Sequence, residues 1–327
     1  MTKVYIIASW GSGKTIHDSF RRLTPSNSGR WGRVELCDNF DEADYYIALW
    51  CDAPPLIAKC RPSSVINVML ESSGRVPSAN ELGAETVYSQ WVTETHNPVD
   101  WWVSKSYSDL VASPFPDKTK LITSITTGRY ISKPRITLHP FLLELDKIFP
   151  SLLRRFPKRI QRGWKLGREG HYYRLRFLKD FSNKYPGILD LYGENVGGYD
   201  LTKITGYKGP IKDKWEGLAP YRYAFAFENT SEKNYFTEKF TDCVLAGCMP
   251  IYWGCNNMKD YFPENSFIEL DITKHDAVDK AMNIIRTDHR EQNLEALKRA
   301  KDLILNKYQF WPTIEEITHK LQKREMP

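Results

Sequence analysis

The densest cluster of side chains able to do chemistry lies between Tyr221 and Asp271. There the apolar run to Phe227 ends in Glu228-Asn229, a polar turn follows, and Tyr235, Thr237, Glu238 and Lys239 open an amphipathic segment that stops at Gly247. A strand that passes through a loop into a helix leaves free backbone N–H groups and a positive dipole end beside the loop, a natural seat for phosphates. Lys239 adds a mobile cation for a diphosphate, and Glu238 could accept both hydroxyls of a ribose. The bland alternative is a charged first helical turn facing solvent. Clustering between two apolar strands, the second running to Trp253-Gly254, favours a nucleotide site.

The elements that must position these groups alternate along the chain. Val4–Ala8, Tyr45–Trp50 and Val65–Leu70 read as buried strands, with Val87–Val92 and Trp101–Val103 as weaker ones. Ser113-Pro-Phe-Pro-Asp117 reads as a linker. A second set of strands follows: Lys120–Ile125, Ile188–Tyr192, Tyr223–Phe227, Met249–Trp253 and Phe267–Leu270. Helices are predicted over Tyr172–Lys184, Thr237–Leu245, Ala277–Arg286, Glu291–Lys307 and Thr313–Lys323, with Gly247 as a left-handed cap. Two successive α/β units of this kind imply two Rossmann-like domains facing each other across a cleft, with ligands at the carboxyl ends of the strands. The expected boundaries are 1–117, 118–310, and a C-terminal helix over 311–327 that could pack back on the first domain.

The 221–271 segment resembles the donor-binding signature of glycosyltransferase family 10, the α1,3/1,4-fucosyltransferases. Phe227-Glu-Asn229, Tyr235-x-Thr-Glu-Lys239, Ala246-Gly-x-x-Pro250 and Trp253-Gly254 keep the order and spacing of that signature over about fifty residues. The resemblance implies a GT-B fold with the acceptor domain first and the GDP-fucose domain second. It implies that Asn229, Tyr235, Glu238 and Lys239 contact GDP-fucose, and that Arg174, in an Arg-x-x-Phe pattern ending at Phe177, faces the pyrophosphate. Arg176 is a rival one register slip away. Val65–Leu70 followed by Glu71 is similar to the strand that delivers the family's catalytic carboxylate, which makes Glu71 the expected general base; the competing reading is an exposed loop glutamate. Glu81, Glu85 and Glu94 are less well placed. The chain departs from the family around 130–170, where an extended segment carries four prolines and a basic run.

The implied reaction is an inverting transfer of L-fucose from GDP-fucose to a hydroxyl of a glycan acceptor. No Asp-x-Asp motif occurs in the chain, so a divalent metal is not expected to be essential and no cofactor is required beyond the donor. The 327 residues exceed one comfortable core, and 13% are aromatic, a composition that suits sugar-stacking surfaces as well as ordinary cores. Lysine and arginine number 46 against 40 acids, and seven of the cations fall between Arg154 and Arg168. Such a run is usually a solvated face; it could also meet an anionic membrane surface or a charged acceptor, with nucleic acid the least favoured partner. The six cysteines show no metal-binding spacing, and no signal or membrane-spanning pattern is present, so a cytoplasmic setting is expected.

Other classes are weaker. Ala8–Thr15 fits a relaxed P-loop pattern, but Asp41 and Asp44 precede the apolar run they would have to close, so an NTPase is disfavoured. A non-catalytic glycan-binding protein would use the same tryptophans. A transferase for a different GDP-sugar also fits, because contacts to the nucleotide do not specify the sugar.

Overall fold

A computed structural model of the chain describes residues 1–8, 13–49, 56–61, 64–69, 86–91, 100–129, 170–196 and 198–325. Strand β1 (Thr2–Ala8) is followed by helix α1 (Lys14–Arg21), then β2 (Arg30–Trp31), β3 (Val34–Leu36), β4 (Tyr45–Leu49), β5 (Val65–Met69) and β6 (Thr86–Trp91). These six strands form one sheet in the order β2-β3-β1-β4-β5-β6, antiparallel at β2/β3 and parallel elsewhere. All five residues of β4 are buried, the uninterrupted pattern expected of a parallel strand covered on both faces.

Helix α2 (Tyr107–Ala112) leads through the Pro-rich linker to β7 (Lys120–Ile125). Then come α3 (Gly170–Lys184), β8 (Leu189–Tyr192), β9 (Tyr207–Gly209), α4 (Lys214–Leu218), β10 (Tyr221–Phe227), α5 (Glu238–Leu245), β11 (Met249–Trp253) and β12 (Ile268–Glu269). The second sheet has the order β12-β11-β10-β7-β8-β9, and every pairing is parallel. From β7 the chain moves outward to β8 and β9, then returns to place β10 on the other side of β7. The junction of β7 and β10 is therefore the topological switch point, where the carboxyl ends of parallel strands leave a crevice. Two Rossmann-like sheets in one chain give the GT-B class of architecture.

The helices α6 (Ala277–Ile285), α7 (His289–Gln292), α8 (Leu294–Asn306) and α9 (Phe310–Glu325) complete the described chain. The single helix expected over Glu291–Lys307 is broken at Asn293, whose backbone leaves the helical region and whose side-chain amide donates to His289 O at 2.8 Å. Helix α9 crosses to the first sheet. Trp311 Nε1 donates to Phe20 O at 2.8 Å, Gln322 Nε2 to Thr2 Oγ1 at 2.7 Å, and Glu315 accepts from Arg33 N at 3.0 Å. Pro312 is tolerated because it lies in the first turn of that helix, where its missing N–H costs no intrahelical bond.

Trp101–Val103 does not form the expected strand. The amides of Trp102 and Val103 point to Asp242 Oδ1, at 2.8 and 3.4 Å, so a carboxylate takes the place of a neighbouring strand. Among the described residues no helix is long and apolar enough to cross a membrane.

The end of α5 shows how tightly the second domain is specified. Gly247 has φ +68°, its N–H donates to Val244 O at 2.9 Å, and Cys248 N donates to Cys243 O at 2.9 Å, a Schellman closure. A Cβ on Gly247 would stand 2.5 Å from Cγ of Phe115 in the linker. Gly247→Val is expected to destabilise the protein by at least about 1–2 kcal/mol from the left-handed backbone alone. A urea-denaturation midpoint equal to that of the parent would contradict it.

Candidate active site at the switch point of the second sheet

The site is built around the end of β10. Glu228, the residue after that strand, is fully buried. Its Oε1 accepts from Thr237 N at 2.8 Å and its Oε2 from Thr237 Oγ1 at 2.7 Å. Thr237 is the N-cap of α5, and its hydroxyl oxygen also accepts from Lys239 N at 3.4 Å. One carboxylate thus ties the strand end to the start of the helix and holds the intervening turn closed. Burial raises the Glu228 pKa, opposed by the nearby Lys239 ammonium. Gly254 is the close-packing counterpart: a Cβ there would lie 2.3 Å from Glu228 Cγ and 2.7 Å from the Tyr252 hydroxyl.

Lys239 and Glu238 sit side by side on the first turn of α5. The Lys239 ammonium is 3.1 Å from Glu238 Oε1, 3.2 Å from Thr237 Oγ1 and 3.6 Å from Glu228 Oε2. It is held, not free to swing as a mobile cation would. On Glu238, burial acts to raise the carboxyl, but the ammonium groups of Lys239 and Lys214 prevail and bring it down to about 2. Lys214, at the start of α4, lies 3.6 Å from Glu238 Oε1 and 3.0 Å from Asp242 Oδ2. Burial alone would lower the Lys214 pKa; the two carboxylates overcome it and raise it. Asp242 is buried and its carboxyl is raised by burial, with Lys214 opposing.

Arg174 completes the group from the opposite side of the sheet. It is 4% exposed on α3, and Nη1 donates to Asn229 Oδ1 at 3.0 Å. Nη2 donates to Thr127 Oγ1 at 3.4 Å and to His171 Nδ1 at 2.6 Å. Its Nε has no hydrogen-bond partner, and among the described residues no carboxylate lies within ion-pair distance of it. Burial lowers its pKa to about 10, partly countered by the more distant Glu228, Tyr235 and Glu238. A buried guanidinium with neutral partners alone is costly unless an anion completes it. Arg176, two residues on, instead donates to the carbonyls of Ile272 and Thr273 at 3.1 and 3.2 Å.

Arg174, Lys214, Glu238, Lys239 and Asp242 line one pocket with the carboxyl ends of β7 and β10. Asn229 borders it through Arg174, and Tyr235, 1% exposed, lies near enough to favour the arginine's charge. Glu71, the basic run 154–168 and all but the last residue of the 130–170 segment lie outside the described residues. Gly13, with φ +65°, precedes α1, and Asp44 spends one carboxylate oxygen on Lys3 N at 2.7 Å, ahead of β4 rather than at its end. Lys214 is the residue that sequence reading missed. Its partners are 24 and 28 positions away on another helix, and its one local sign is Asp213, the N-cap of α4, before it.

Residues 170–320 match the family model "Glycosyltransferase family 10 (fucosyltransferase) C-term". An alpha-(1,3)-fucosyltransferase FucT of Helicobacter pylori is 33% identical over 111 residues, 34% of this chain and 22% of that protein. A GDP-fucose protein O-fucosyltransferase 3 of Gallus gallus is 29% identical over 110 residues, 33% of this chain and 23% of that protein. The matched stretches thus span less than a quarter of the length of these relatives. A solved alpha1,3-fucosyltransferase with GDP-fucose aligns over 98% of this chain and 89% of that one, at 16% identity and a TM-score of 0.43. The matched segment contains Arg174, Lys214, Glu238, Lys239 and Asp242, the charged residues that line the pocket. Residues 170–320 are thus similar to the C-terminal part of the fucosyltransferases of glycosyltransferase family 10.

Proposed function

We propose that the chain is an inverting fucosyltransferase that moves L-fucose from GDP-fucose to a hydroxyl of a glycan acceptor. The observation that carries this reading is Arg174, a buried cation lacking a carboxylate partner among the described residues, aimed with Lys239 at the switch-point crevice. A diphosphate supplies the missing charge. The N-terminus of α5, capped by Thr237, presents its dipole to the same place. The fucosyltransferase of Helicobacter pylori and the GDP-fucose protein O-fucosyltransferase of Gallus gallus, to which this chain is similar, support the choice of donor.

In this reading Arg174 and Lys239 grip the pyrophosphate, Asn229 and Tyr235 fix the arginine's surroundings, and ionised Glu238 accepts ribose hydroxyls. Glu71, which follows the end of β5 by two residues in the sequence, is the proposed general base. It takes the proton of the acceptor hydroxyl as that oxygen attacks the anomeric carbon. The bond from that carbon to the β-phosphate oxygen breaks on the opposite face, and GDP leaves with the electron pair. The two cations balance the charge that grows on the phosphate, which is where electrostatic help lowers the barrier most. No metal is needed for that balance.

Lys239→Ala is expected to weaken GDP binding, because it removes a cation from the phosphate seat and leaves Glu228 without its ammonium partner. Calorimetric titration with GDP checks it, and an unchanged affinity would remove Lys239 from the site. Glu71→Gln is expected to lower kcat by about two to four orders of magnitude while GDP affinity stays close to that of the parent. Near-normal turnover would strike Glu71 from the mechanism.

A further inference from the structure

The connection between the domains carries the one exposed aromatic ring among the described residues, Trp102, at 60%. Scattered surface hydrophobes are ordinary. This one is anchored through its backbone, its indole nitrogen and a cation over its ring. Its N–H donates to Asp242 Oδ1 at 2.8 Å, and its indole Nε1 to Asp100 Oδ1 at 3.3 Å. The Lys214 ammonium stands over the ring, 4.7 Å from its centroid. The flanking backbone is pinned from both domains. The Arg22 guanidinium donates to the carbonyls of Trp101, Val103 at 2.8 Å and Lys105 at 3.3 Å. Ser104 N and Oγ donate to Asp213 at 3.2 and 2.5 Å.

An indole fixed this firmly, with its polar edge already satisfied and one face open, is built to be stacked upon. Two of the groups that hold it, Lys214 and Asp242, also line the donor pocket, so the ring lies at the edge of that pocket. We propose that Trp102 is a stacking platform for a sugar ring of the acceptor, with Asp100 accepting one of its hydroxyls. The surrounding chemistry selects a pyranose over a nucleobase. A pyranose offers an apolar C–H face to the ring and hydroxyl donors to a carboxylate. The ring also sits on the interdomain connection, away from the β7/β10 crevice that the nucleotide occupies in the reading above.

The inference rests on that reading, and the experiment separates the two. The full chain is first titrated with GDP and offered an immobilised glycan panel with GDP-fucose; failure of both sinks the donor-site reading before any variant is made. The best acceptor then becomes the probe for Trp102→Ala and Trp102→Phe. Trp102→Ala is expected to raise the acceptor KM about tenfold or more. GDP affinity and donor hydrolysis in the absence of acceptor should stay within about twofold of the parent. Trp102→Phe, which keeps a stacking face, should recover most of the acceptor KM. An unchanged acceptor KM in Trp102→Ala, or a parallel loss of GDP affinity, overturns the platform. If the alanine variant fails to fold, Trp102→Leu decides: an apolar side chain without a ring must raise the acceptor KM about tenfold, with GDP affinity unchanged.

Discussion

A carboxylate with no access to water sits at the end of β10, and the rest of the site is arranged around it. Glu228 accepts from both the amide and the hydroxyl of Thr237, nine residues later, and so fixes where α5 begins and which way its first amides point. Register does the rest. Phe227 pairs with Trp253 across β10 and β11, which brings Gly254 against the side chain of Glu228 with no room for a Cβ. The Phe-Glu-Asn, Thr-Glu-Lys and Trp-Gly fragments, far apart in the chain, are therefore one packed unit. Losing the Glu228 carboxylate would leave the buried amide and hydroxyl of Thr237 without that acceptor, which costs more than the bonds themselves contribute.

The cations around that unit are not equivalent. Lys239 is shared among Glu228, Glu238 and Thr237, and Lys214 between Glu238 and Asp242. Each is charge-matched in the absence of ligand. Arg174 is different: among the described residues its partners are an amide, a hydroxyl and an imidazole nitrogen, all neutral acceptors. A buried guanidinium in such company is an unfinished ion pair, kept because the surrounding strands and helices are stable enough to hold it. Local cost concentrated at one residue, with the neighbouring charges paired, is a pattern that clusters at functional sites.

The same pocket is wired to the joint between the domains. Asp242 bonds Lys214 with one oxygen and the backbone of Trp102 and Val103 with the other. Arg22 from the first domain holds the carbonyls of the same segment. Burial, with Glu238 adding repulsion, pushes the Asp100 carboxyl up to about 7 despite Arg22. Helix α9 then closes the chain back onto the first sheet through Trp311 and Gln322. The switch-point pocket and the connection thus meet at α4, where Lys214 touches both Glu238 and the ring of Trp102.

Much of this was legible before any coordinates. Buried parallel strands announce themselves as short apolar runs, so Lys120–Ile125 and Met249–Trp253 coincide with the observed strands. Gly247 was readable as a cap because only a residue without Cβ adopts that backbone cheaply. Glu238 and Lys239 stood out because they are contiguous with a strand end and a helix start. What periodicity cannot express is a partner supplied from elsewhere in the fold. Lys214 acquires its meaning only when α4 packs against α5. Trp101–Val103 has the composition of a strand, yet its amides are claimed by Asp242 from 140 positions away. Arg174 and Arg176 look alike in the sequence, and the rotation of α3 alone sends one into the crevice and the other to the carbonyls of Ile272 and Thr273. The local chain determined the elements and the chemistry they carry; the tertiary packing decided which charges are left unpaired, because pairing depends on distances between elements that no local pattern encodes.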